Sequence, residues 1–118
     1  MRLICTATIA SFALVAGLGA AGAQDQKTKF WNLTANTVTH LYLAPAGTGK
    51  YGKDQTPNDN DGTVDHDERL KITDVVDGKY DAKLSDSTGR VCIVKNVEIK
   101  VGGIFTIDEK QLKNCKKS

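Results

Sequence analysis

The chain has 118 residues, with 16 Lys and Arg against 14 Asp and Glu and a formal charge of +2. This length supports one core and leaves no room for a second sizeable domain. So even a balance of charge argues against nucleic acid as a partner.

The first element is a targeting segment. Arg2 precedes a run of small and apolar residues that closes on Ala21-Gly22-Ala23, and polar Gln24-Asp25-Gln26-Lys27 follows at once. This is the pattern of a secretory signal with an Ala-x-Ala cleavage site, so residues 1–23 are expected to be removed and 24–118 to form a single β domain. The expected address is periplasmic or secreted, with no stable membrane anchor after cleavage. Loss of Arg2 leaves 15 basic and 14 acidic side chains.

Along the mature chain, apolar residues recur at the period of strands. The first two expected strands, 30–34 and 37–43, are separated by Ala35-Asn36. Phe30 and Trp31 are neighbours on a strand, so one faces the core and the other the outside. A strand at 70–76 is followed by Asp77-Gly78, a strong two-residue hairpin signal. The strand beyond it turns Tyr80, Ala82 and Leu84 inward and Lys79, Asp81 and Lys83 outward. Over residues 91–101 the odd positions Val91, Ile93, Val97, Ile99 and Val101 form the expected core face, interrupted by Lys95, while Cys92 falls on the outer face. Gly102-Gly103 separates this strand from 104–107. Asp108 can cap a short helical turn over the residues that follow. No mature segment carries an amphipathic helical stripe. The expected fold is therefore all-β: a small antiparallel β-sandwich or partly open barrel of about six to seven short strands, with three hairpins and one long acidic loop.

Cys5 lies inside the signal, in an Arg2-Leu3-Ile4-Cys5 context unlike a lipid-attachment site. Cys92 and Cys115 remain, and in an oxidising compartment they have one intramolecular pairing, expected to stabilise the fold by roughly 3 kcal/mol. A redox pair or half of a metal site is the sharper alternative, but there is no Cys-x-x-Cys spacing. With Cys92 facing outward, the bridge is expected to pin the C-terminal tail across the outside of its strand.

Within the acidic loop, residues 57–68 resemble the calcium loop of EF-hands. Asp59 and Asp61 precede Gly62, Thr63 offers a carbonyl, Asp65 a direct or water-bridged ligand and Glu68 a bidentate carboxylate. Pro57 occupies the first ligand position without a side-chain oxygen, and the flanks read as loop and strand. The resemblance implies at most a weak Ca2+ site and no other cofactor; the alternative is a solvated loop whose Asp, Asn and Gly suit turns.

Catalytic chemistry has little support. His40 lies on a strand, with Asp81 or Asp74 as its expected carboxylate if it acts as a base, and no nucleophile motif accompanies it, so the chain reads as non-enzymatic. Trp31, Tyr42 and Tyr51 are the candidate binding aromatics, set against a default of core packing. Asn32-Leu33-Thr34 matches a glycosylation acceptor and is given no role.

Asn32-Leu33-Thr34, Leu41-Tyr42-Leu43-Ala44-Pro45, Lys50-Tyr51-Gly52 and Gly78-Lys79-Tyr80-Asp81 together make the chain similar to a group of small exported bacterial β-proteins of unassigned function. The resemblance implies the fold and the compartment, and no substrate or catalytic residue. The leading functional expectation is an exported, non-enzymatic β-sandwich that binds an unidentified protein or envelope partner or supports the envelope. The alternatives are a weak calcium module using residues 57–68 and a small secreted hydrolase inhibitor whose long loop enters an active site.

Overall fold

The computed structural model describes residues 27–118; the expected signal and its cleavage point lie outside the described residues. Seven strands form two sheets: β1 (Lys29–Leu33), β2 (Val38–Pro45), β3 (Arg69–Lys71), β4 (Gly78–Asp86), β5 (Arg90–Ile99), β6 (Ile104–Asp108) and β7 (Cys115–Lys117). The smaller sheet has the order β3-β1-β6 and the larger β2-β4-β5-β7. The all-β expectation holds, and of the two expected arrangements the structure has two sheets, neither of which closes into a barrel. One pair departs from antiparallel geometry: β1 and β6 run parallel, Phe30 beside Phe105 and Asn32 beside Ile107.

The core lies between the inner faces. Phe30, Leu70, Phe105 and Ile107 of the smaller sheet meet Leu41, Leu43, Ala82, Leu84, Val94, Val97 and Ile99 of the larger, with the Phe30 and Phe105 ring centroids 5.5 Å apart. Asn32 is fully buried among them. Its amide donates to the carbonyls of Val64 and Asn36, while its Oδ1 accepts from the backbone and hydroxyl of Thr34. The Asn-x-Thr triplet is therefore an internal turn lock, closed to any glycan.

The three expected hairpins are a correction. Ala35-Asn36 joins β1 to β2, residues 72–77 join β3 to β4, and the turn at 100–103 joins β5 to β6, so each carries the chain from one sheet to the other. The turn residues are correct, but a turn signal does not say which strand the next segment will pair with. The hairpin the sequence reading missed lies between β4 and β5. There Asp86 Oδ1 accepts from the backbone N–H groups of Thr88 and Arg90 and from the Thr88 hydroxyl. Arg90 bonds Asp86 and also reaches Glu109 at 2.9 Å. The expected short helical turn is present as a 3-10 turn at Glu109–Gln111, capped by Asp108.

Two β-bulges explain the errors of facing. In β5, Lys95 and Asn96 together oppose Asp81 of β4, since Tyr80 pairs with Val97 and Ala82 with Val94. Asn96 takes the left-handed conformation at φ 59°, which Asn tolerates better than most residues. The extra residue reverses the alternation. Cys92 and Val94 are buried before it and Val97 and Ile99 after it, so Val91 and Ile93 face outward, and Val101 beyond the strand is exposed. A second bulge between Val38 and His40 of β2 separates the buried parity of Val38 from that of Leu41 and Leu43.

Cys92 and Cys115 form the disulfide, paired directly across β5 and β7. Its placement corrects the expectation. Cys92 is buried in the core and Cys115 packs against it, so the bridge secures an added edge strand instead of laying a tail over the outside. The loop after β2 also ends the sheet: Gly52 and Gln55 donate backbone bonds to Leu43 and Leu41. Residues 52–55 thus lap the outer edge of β2, covering groups that would otherwise be open to pairing. Further along the loop Val64 is buried and bridges to Val38.

Candidate functional site

The acidic loop is built from its own turns. Asp61 Oδ1 accepts from the backbone and hydroxyl of Thr63, and Glu68 Oε1 accepts from the Asp65 N–H at 2.7 Å. Asp65 Oδ1 instead turns to the Thr37 hydroxyl at 3.0 Å. Asp59 and Asp61 are neighbours. Asp59 is raised from its ordinary value, chiefly by the side-chain hydrogen bond with Asp61 and also by the charge of Glu68, and Asp61 is correspondingly lowered. Among the described residues, no three His, Cys, Asp or Glu side chains converge as a metal-ligand set. The structure thus brings Asp59 to Asp61 and Asp65 to Glu68, and it does not gather Asp59, Asp61, Thr63, Asp65 and Glu68 around one point.

Trp31 stands apart from the two tyrosines. It is half-buried on the outer side of β1, where the Arg69 guanidinium covers its ring at 4.1 Å and its indole N–H donates to Asp67 Oδ1 at 2.9 Å. Phe30, its neighbour, is the one in the core. Since β2 belongs to the other sheet, Trp31 and Tyr42 do not form one patch.

Tyr42 and Tyr51 do come together, through a residue the sequence reading took only as outward-facing. Lys83 lies opposite Tyr42 in the β2/β4 register, and its ammonium sits 5.6 Å from the Tyr42 ring centre and 4.9 Å from that of Tyr51. Both distances fall within cation–π range. Ile93 of β5 is the next residue across. The open face of the larger sheet therefore carries the row Tyr42, Lys83, Ile93, all half-buried, with Tyr51 folded against it. A parallel row holds His40, Ser85, Val91 and Lys116.

His40 has a carboxylate partner, but it is neither Asp81 nor Asp74. Its Nδ1 lies 2.6 Å from Asp54 Oδ2. Burial opposes the charge on Asp54, yet the bonds from His40, the Leu41 and Thr56 N–H groups and the Thr56 hydroxyl together hold its pKa below the usual range. Asp54 carries no sequence signal beyond its charge, because its role depends on residues 52–55 returning along β2. The His40 ring also stacks over Tyr42, with centroids 6.3 Å apart, so it extends the aromatic face.

Asp81 was expected to face solvent and is instead 5% exposed. Its Oδ2 accepts from the Gly47 N–H at 3.0 Å and its Oδ1 from the Asn96 N–H at 3.2 Å. The Gly47 bond is the largest influence on its pKa, which lies below the ordinary value although burial opposes it; the Asn96 bond and the charge of Lys95 add to the lowering. Beside it, burial and the Asp81 charge raise the Tyr51 phenol. Asp81 thus fixes both the bulge in β5 and the start of the loop that delivers Tyr51. No family model, curated protein or solved structure matches the chain significantly.

Proposed function

We propose that residues 24–118 are an exported, non-enzymatic binding domain that engages a protein or other envelope macromolecule through the open face of its larger sheet. The observation that carries this reading is the row Tyr42, Lys83, Ile93 with Tyr51 beside it. A side chain such as Ile93 gains nothing from facing water, and the bulge that turns it outward places it beside Lys83, the residue that lies over both tyrosine rings. Tyrosines supply large contact area at little cost in conformational entropy, and central aromatic anchors commonly dominate interface energetics. The strands hold these groups rigidly, which favours binding by a preformed surface.

The address rests on the signal-like residues 1–23, on the resemblance to small exported β-proteins, and on the Cys92–Cys115 disulfide, a bond favoured in oxidising compartments. Among the described residues no helix is long and apolar enough to cross a membrane.

The test is site-specific photocrosslinking in the native host, with the photoreactive residue at position 42 and, as a control on the other sheet, at position 71. The expected result is a discrete adduct from position 42, absent from position 71 and diminished by Lys83→Glu. No adduct at 42, or equal adducts at both positions, would overturn the proposal.

A further inference from the structure

We infer a second, small-molecule site in the cleft bounded by the ends of β2 and β4, the returning loop 50–55 and the link 72–77, suited to an amphipathic carboxylate. The cleft has a volume of about 400 Å³, within the ~300–1,000 Å³ typical of small-molecule pockets. Its floor is the inward-facing Leu43 and Tyr80 together with Val75, which packs against the core. Pro45 and Gly52 form walls, and Lys50, Lys53 and Asp74 stand at the mouth.

The polar groups in the cleft determine what it can recognise. Gln55 is already committed, its amide donating to the Thr73 carbonyl and its Oε1 accepting from the Thr73 N–H and from Asn58. The Tyr80 hydroxyl is committed too, donating to the Val76 carbonyl and accepting from the Val76 N–H. A polyol or sugar would find these hydrogen-bonding groups occupied. What remains is apolar surface below and two ammonium groups above. Asp74 answers Lys53 across 3.4 Å, with both side chains well exposed, whereas Lys50 makes no ion pair among the described residues. The mouth therefore carries an excess positive charge. A ligand with an apolar body and one carboxylate would lay the body on Leu43, Val75 and Tyr80 and place its charge between Lys50 and Lys53.

Asp74 holds the rim in a left-handed conformation, φ 62°, unusual for a residue other than glycine. The link that carries it, residues 72–77, is the sheet-to-sheet crossing, so the rim belongs to the fold itself.

This site does not rest on the aromatic-face reading, and its test leaves Tyr42, Tyr51 and Lys83 unchanged. Sodium decanoate is titrated into the ¹⁵N-labelled protein, with 1-decanol as the uncharged comparison. The expected result is saturable amide shifts confined to residues 43–55 and 72–80, with decanoate bound more tightly than decanol. The double substitution Lys50→Glu and Lys53→Glu alters exposed positions only and should weaken decanoate binding about tenfold or more, by reversing two charges near the carboxylate. Val75→Trp, which fills the cleft, should abolish it; should that variant fail to fold, the double lysine variant decides alone. No saturable shift, shifts elsewhere on the surface, or unchanged affinity in the lysine variant would each overturn the assignment.

Discussion

Replacing Asp81 by alanine removes the acceptor that joins the β5 bulge to the loop after β2. Two backbone N–H groups lose a charged acceptor, those of Gly47 and Asn96. Hydrogen bonds to charged groups contribute about 1.5–3 kcal/mol each, but Asp81 lies just beneath the surface and water can reach the freed groups. Discounting for that access, we expect Asp81→Ala to cost about 2–4 kcal/mol, with Asp81→Asn falling between it and wild type because one oxygen can still accept. The assay is urea unfolding followed by fluorescence of Trp31, the chain's single tryptophan. The midpoint should fall by about 1–4 M at unchanged slope, taking urea slopes of about 1–2 kcal/mol/M for a domain of this size. The effect should also depend on pH. A carboxylate whose pKa is lowered in the folded state stabilises it fully above the unfolded value, about 3.9 for Asp, and loses that contribution as pH falls through the lower folded value. Wild type and Asp81→Ala should therefore converge in strong acid. A loss below about 0.5 kcal/mol at neutral pH, the range of ordinary surface substitutions, would refute the clamp.

Two further outcomes follow from the same framework. The disulfide closes a loop with a sequence separation of 23, so converting both cysteines to serine should cost about 3 kcal/mol and lower Tm by about 12–24 °C, measured calorimetrically; a loss under about 1 kcal/mol would show that β7 contributes little to the folded state. Asp54, Asp86 and Glu109 also have lowered pKa values. For Asp54 and Asp86, burial opposes the lowering and hydrogen bonds outweigh it; for Glu109 the leading cause is Arg90. All three stabilise the fold above their unfolded values, so the urea midpoint should decline below about pH 4.5. A midpoint constant from pH 7 to pH 3 would contradict this.

The sequence carried the strand content and the disulfide, because period-two patterning and a choice of two cysteines are local or combinatorial facts. Facing was less legible. Val91, Ile93, Val97 and Ile99 read as one core stripe interrupted only by Lys95, yet the structure divides them at the bulge of Lys95 and Asn96, and the cause lies across the sheet in Asp81. Partnership failed for a similar reason: His40 meets Asp54 only because the intervening chain doubles back along β2. Asp77-Gly78 and Gly102-Gly103 were correct as turns, but in a two-sheet fold a turn can as readily cross the core as close a hairpin. Tyr42 and Tyr51 were candidates by residue type along with Trp31, which lies on the other sheet, while Lys83, which joins the two tyrosines, gave no signal beyond its outward position.

The parallel pairing of β1 with β6 governs the order in which this molecule can be made. β1 has one neighbour, β3, in the middle of the chain, but the other, β6, lies near its end, so the smaller sheet cannot be completed until almost all of the chain is available. Folds dominated by such distant pairings form slowly, on the order of milliseconds to seconds. Until then Phe30 and Leu70 have no Phe105 or Ile107 to pack against. A polypeptide emerging from its N-terminus can pair β2, β4 and β5 as they appear, but closes its core only once β6 has been made.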